Sequence, residues 1–356
     1  MAHIVLNRRK LQHNYRYLQQ LFEENQIEWS IVTKVLCGSE VYLKEIIDLG
    51  IEEVCDSRIT NLKRIKRLTP EVQTVFIKPP AKRYISKVIR YADASFNTEY
   101  ETIKQLSEEA VRQNKKHKVI IMIELGELRE GVMREDFIDF YARVFELPNI
   151  EITGIGTNLS CMNGVLPNQD KLIQLCLYKQ LIEAKFDRNI PFISGGTSVT
   201  IPLLEQGLLP TGINHFRVGE SIFLGTDVYH DGPNENLEQD VFLLYAEIIE
   251  LREKPNIPDG NLTKNANGEM VQIETEELSS YRAIIDMGLL DVDENHVRPS
   301  SEHIKIVGSS SDMMVVDLGE EYEKYKVGSL IEFKMDYMGI LRLMSCEYVD
   351  KLVAED

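Results

Sequence analysis

The chain has 356 residues, 43% hydrophobic and 27% charged, a composition typical of a globular protein with room for one large and one smaller domain. A formal net charge of −17 argues against a nucleic-acid partner, which would need clustered Lys and Arg. The opening residues hold no apolar core of signal-peptide length, and no apolar run is long enough to span a bilayer. Five scattered cysteines (37, 55, 161, 176 and 346) lack CxxC spacing and suit reduced thiols, so a cytoplasmic location is expected.

Residues 8–25 alternate polar and apolar side chains with helical period, which predicts an amphipathic helix. From Trp29 onward, apolar strand-like runs alternate with helical ones. Strands are expected at 31–36, 53–56, 73–78, 94–97, 118–125, 150–159, 191–194 and 216–218. Helices are expected at 41–48, 59–67, 84–91, 98–114, 136–145, 171–186 and 199–206. Eight strands with crossover helices fit a (β/α)8 TIM-type barrel, and no GxGxxG follows the first strand to favour an open doubly wound sheet.

After Gly225 the pattern changes. The polar stretch 231–238 reads as a linker, followed by strand-like runs at 241–251, 281–287, 304–307, 313–318, 329–335 and 341–349. Turns at Asp259-Gly260 and Asn267-Gly268 punctuate them. The expected organisation is a barrel over 1–236 and an all-β domain over 237–356.

A barrel gathers its chemistry at the strand C-termini, so the polar residues there carry the argument. Lys34 ends the first apolar run, where a buried strand has no structural need of an amine. Arg129 lies after the fifth strand, Asn158 at the end of the sixth and Arg217 in the eighth. Ser194-Gly195-Gly196-Thr197-Ser198 and Gly219-Glu220 follow strands seven and eight, the usual place of a barrel's phosphate cradle. Taken singly, each turn is equally a helix cap. The seven histidines show no metal spacing and read as solvated or loop residues.

Several stretches resemble the alanine/ornithine racemase family of fold-type III pyridoxal 5'-phosphate (PLP) enzymes, and within it the ornithine racemase branch. They are Val32-Thr33-Lys34, the Leu-Gly-x-Leu-Arg-Glu-Gly pattern ending at Gly131, Ser194–Ser198, 216–225, Gly308–Asp312 and 345–349. The resemblance implies that Lys34 carries PLP as a Schiff base and serves as one base at the substrate Cα. It implies phosphate binding by Thr197 and Ser198 with the backbone of Gly219 and Glu220. Arg129 is then expected near the PLP 3-hydroxyl or the substrate carboxylate, and Asn158 beside the ring-side arginine. Arg217 is expected to face the pyridine nitrogen, to which an arginine surrenders no proton.

The sequence departs from alanine racemases at several points of the chemistry: Asn158 stands where they carry a histidine, Gly38 where they carry a tyrosine soon after the lysine, and a third departure matters most. The C-terminal tyrosine they use as second base is replaced by Leu289 in Gly288-Leu289-Leu290-Asp291. Asp291 is then a candidate second acid/base, Tyr337 a candidate for the phosphate or a proton relay, and Asp312 a candidate partner for a distal substrate ammonium. The reading is a racemase of a basic amino acid, working as a homodimer with shared sites. Its rivals are a basic amino-acid decarboxylase of the same fold and a PLP-holding protein without turnover.

Overall fold

The computed structural model describes residues 2–264, 268 and 278–355, so Asn267 of one expected turn lies outside the described residues. The chain packs as two compact units, Gln12–Gln239 and Met1–Leu11 with Asp240–Asp356. Sequence reasoning left residues 1–11 with the barrel; here they pack with the second unit.

The first strand, β1 (His3–Asn7), therefore belongs to that second unit. The larger unit is a closed parallel barrel of β2 (Glu28–Val32), β3 (Glu53–Asp56), β4 (Gln73–Phe76), β5 (Ala94–Asn97), β6 (His117–Met122), β7 (Ile150–Gly156), β8 (Phe192–Thr197) and β9 (His215–Val218). It closes where Trp29 of β2 pairs with Phe216 of β9. Helices such as Ile59–Leu68 and Tyr100–Arg112 cross between strands and bury one apolar stripe each. Inside the barrel, Val32, Cys55, Val75, Ala94, Phe96, Ile120 and Met122 form an apolar core. Gly196 has no room for a side chain, since a Cβ there would lie 2.2 Å from the Phe216 ring. The barrel's pairing shifts register at that same point.

A two-residue pairing of β10 (Thr226–Asp227) and β11 (Gly232–Pro233) follows the barrel. The second unit contains β12 (Phe242–Pro255), β13 (Ser279–Ile285), β14 (Val297–Pro299), β15 (Lys305–Ser309), β16 (Met314–Asp317), β17 (Leu330–Met335) and β18 (Asp350–Ala354). Its strand order is β14-β17-β12-β13-β16-β15, with β1 pairing antiparallel to β12 and parallel to β18. Alternating burial over 242–248 is the period-2 signature of a sheet with one packed face.

Two expected elements are corrected. The strand expected at 341–349 is instead a helix, Tyr337–Ser345, with β18 following it. Asp336 caps that helix through the Gly339 N–H at 2.8 Å, and Ile340, Leu343 and Met344 are buried at helical spacing. The strand expected at 31–36 stops at Val32, paired with Cys55, and Thr33–Leu36 is a 3-10 turn. Among the described residues, no helix is long and apolar enough to cross a membrane.

Candidate active site

Lys34 lies in the turn after β2, exposed, rather than at the end of the strand itself. The turn is fastened from beneath. Thr33 Oγ1 donates to Asp56 Oδ2 at 3.0 Å, across to the end of β3. Asp56 also accepts from the Arg58 N–H at 2.7 Å and from Asn61 Nδ2 at 3.2 Å. Burial pushes the Asp56 carboxyl up to about 6, although these donors and the Lys34 charge pull it back.

Arg217 is buried in β9, inside the barrel. Its Nη1 donates to the Ser194 carbonyl at 2.9 Å and to Ser194 Oγ; its Nη2 donates to the Thr157 carbonyl at 2.8 Å. The guanidinium sits 5.0 Å from the centroid of the Phe96 ring. Burial lowers its pKa to about 10, which leaves it charged at neutral pH. Its hydrogen-bond partners here are carbonyls and a hydroxyl, so the cation is held by neutral groups.

Ser198 opens the short turn after β8, preceded by Thr197, which forms a reciprocal cap with Thr200. Ser198 Oγ accepts from the N–H of Gly219 at 3.3 Å and of Ser221 at 3.2 Å. Those two N–H groups flank Glu220, the first residue of the helix Glu220–Leu224 after β9. A Cβ at Gly219 would stand 3.2 Å from Val32 Cβ, so glycine keeps the β9 end close to β2. The Ser198 hydroxyl and the Gly219 and Ser221 N–H groups thus lie together between the ends of β8 and β9, groups of the kind that bind an anion.

Arg129 is in the loop after β6, paired with Glu130, which raises its pKa. It also donates to Cys161 Sγ at 2.7 Å, placing that cysteine beside the loop rather than in the core. Asn158, just beyond β7, follows the residue whose carbonyl holds Arg217. The loops after β6 and β7 are tied by Glu127, which sequence reasoning passed over. Its carboxylate accepts from the N–H of Cys161 at 3.1 Å, Asn163 at 2.7 Å and Val165 at 3.0 Å.

In the second unit, Asp291 and Asp312 meet. With Ala2, Asp286, Leu290 and Tyr348 they line one cavity of about 290 Å³. Asp291 is also a turn former, accepting from the Gly288 N–H at 3.0 Å and from Cys346 Sγ at 3.2 Å. Gly288 lets the two loops touch, because a Cβ there would lie 2.6 Å from the Asp312 backbone. Tyr337 is the first residue of the helix behind its Asp336 cap, apart from that cavity's lining.

Lys34, Arg129, Asn158, Thr197, Ser198, Arg217, Gly219 and Glu220 therefore all lie at or beyond the C-terminal ends of barrel strands. Two histidines overturn their expected exposure: His117 of β6 and His215 of β9 are buried within strands. Their signal was available, since each begins an apolar run that a strand would bury.

Residues 6–227 match the family model described as alanine racemase, N-terminal domain. The chain is 36% identical over 349 residues to the ornithine racemase of Acetoanaerobium sticklandii, covering 98% of both proteins. It is 30% identical to the lysine racemase of Thermotoga maritima, covering 98% of this chain and 97% of that one. Its fold matches alanine racemase from Bartonella henselae with covalently bound pyridoxal phosphate, with a TM-score of 0.74 and 18% identity over 99% of both chains.

Proposed function

The chain belongs to the alanine racemase N-terminal domain family, and from that premise we propose that it is a PLP-dependent racemase of a basic amino acid, ornithine first. The observation that carries this reading is Arg217. A buried guanidinium, charged and held by neutral acceptors, is a group that would face a pyridine nitrogen without protonating it. An unprotonated ring is the weaker electron sink and favours prompt return of a proton to Cα over other fates.

The donor set fits the cofactor. Ser198 Oγ and the N–H groups around Glu220 suit its phosphate, Arg217 its ring nitrogen, and the Lys34 amine its aldehyde. When bound, PLP supplies the electron sink that acidifies the substrate Cα–H. Lys34 Nζ would take or return the proton at Cα on one face. Arg129, on the mouth loop, would orient the substrate carboxylate, and Asn158 would bound the pocket beside the ring. Asp291 is the second acid/base in this reading, and Asp312 receives the distal ammonium, both from the β unit of a second copy in a cytoplasmic homodimer. Tyr337 assists at the phosphate. A carboxylate that needs a cation discriminates strongly against substrates lacking one.

The test is α-proton exchange in deuterium oxide, followed by NMR with the PLP-loaded protein and L-ornithine, L-lysine or L-alanine, then chiral analysis. Exchange with inversion, strongest for ornithine, is the expected result. Exchange with retention would remove Asp291 from its role, and absence of exchange with all three would overturn the reading.

A further inference from the structure

The interior of a (β/α)8 barrel is ordinarily filled by layers of branched apolar side chains. Here a polar chain climbs through it. Lys118 Nζ of β6 donates to Gln73 Oε1 of β4 at 3.4 Å, and Gln73 Nε2 donates to Glu53 of β3. Glu53 Oε1 lies 3.2 Å from His215 Nε2 of β9, and His215 Nδ1 lies 2.6 Å from Ser194 Oγ of β8. Ser194 Oγ then accepts from Arg217, whose other hand holds the Thr157 carbonyl.

This series of hydrogen bonds has a direction. The guanidinium has only donors, so Ser194 Oγ is its acceptor and the hydroxyl proton is free to point at His215 Nδ1. With Nδ1 accepting, Nε2 carries the proton and donates to Glu53. Every hydrogen from Arg217 onward thus points toward the Glu53 carboxylate.

Energetics give the chain a purpose. A buried cation held only by neutral groups is costly, and two carboxylates act on it from a distance, Glu130 of the mouth loop and, through the chain of hydrogen bonds, Glu53. Burial pushes the Glu53 carboxyl up, against which hydrogen bonds from His215, Gln73 and Ser30 pull it down. At the far end Glu53 and His215 line a cavity of about 280 Å³ with Tyr15, Glu23, Glu28 and Glu52.

We infer that Glu53, His215 and Ser194 are a positioning relay that aims the Arg217 guanidinium and joins it, through hydrogen bonds, to a carboxylate at the opposite end of the barrel. The inference rests on the assignment of Arg217 to the cofactor ring, but the relay has a readout of its own.

The experiment uses the full-length protein labelled with 15N-histidine, with and without PLP, and the variants Ser194→Ala, Glu53→Gln and their double. Long-range 15N NMR is expected to show His215 Nδ1 as a bare acceptor, shifted by Ser194→Ala, with Nε2 protonated and shifted by Glu53→Gln. Each single variant is expected to lower kcat about tenfold with KM within twofold, and the double to lower it no further, as for groups acting as one unit. A proton on Nδ1, unchanged kcat in Glu53→Gln, or losses that multiply to about a hundredfold would overturn the relay. Should Ser194→Ala fail to fold, the ring resonances and Glu53→Gln decide alone. If the wild-type protein racemises none of the three amino acids, the functional reading falls while the tautomer still decides the relay.

Discussion

Thr33 and Asp56 join the ends of two neighbouring barrel strands through a 3.0 Å hydroxyl-to-carboxylate hydrogen bond, one residue before Lys34. Lys34 is therefore carried on a turn whose first residue is pinned to β3. Removing the hydroxyl while keeping the shape, as in Thr33→Val, leaves Asp56 short of a donor and costs about 1–3 kcal/mol. The expected outcome is a lower thermal midpoint together with weaker PLP retention on dialysis. A lowered midpoint with unchanged retention would mean that the pin serves the fold and not the lysine.

Two buried groups make opposite contributions to stability across nearly one pH window. Asp56 rises from 3.8 to about 6, so it holds its proton more tightly when folded. Its stabilisation is full below about pH 4 and is lost as pH climbs through about 6. His117 falls from 6.5 to about 4, chiefly by burial, so its stabilisation is full above about pH 6.5 and is lost as pH drops through about 4. Each is worth on the order of 3 kcal/mol, and together they largely cancel. Asp56→Asn should expose the histidine arm, giving stability to urea that rises steeply from pH 4 to 6.5. A profile as flat as the wild type's would contradict this.

Glu127 gathers three backbone N–H groups of the loop after β7. Glu127→Ala orphans all three, and the loop should open more often. Hydrogen exchange at Cys161, Asn163 and Val165 is expected to quicken at least tenfold, with the barrel strands unaffected. Uniform quickening across the barrel would instead indicate general destabilisation.

Asp312 offers the sharpest test of substrate choice. Asp312→Asn keeps the size and removes the charge, so kcat/KM for ornithine should fall tenfold or more while that for alanine stays within threefold. Equal losses for both substrates would place Asp312 in the frame of the cavity rather than at the ammonium.

The barrel was legible because each strand is a short apolar run flanked by amphipathic helices, a local signal. The positions of Lys34, Ser198 and Arg217 near the barrel mouth were legible because a polar side chain at or just past an apolar run is conspicuous against that background. What escaped had its cause elsewhere in the chain. β1 is five residues long, and its partners β12 and β18 lie more than two hundred residues away. Residues 341–349 read as a strand from their side chains alone, whereas the deciding signal, the Asp336 cap, sits upstream. Glu53 and His215 are individually unremarkable letters, Ser194 reads only as the start of a phosphate turn, and barrel closure is what brings the three into register.

The placement of β1 also orders events during synthesis. It leaves the ribosome before any barrel strand, yet both strands that flank it emerge only after the barrel sequence is complete. Until then it is an unpaired edge with no shelter, the kind of segment that chaperones grip. A folded barrel shortens the loop that must close, so the nascent chain gains by finishing the barrel first. The β unit is then the last part of each molecule to mature, and the newest copies in a cell would be barrels still waiting for their other half.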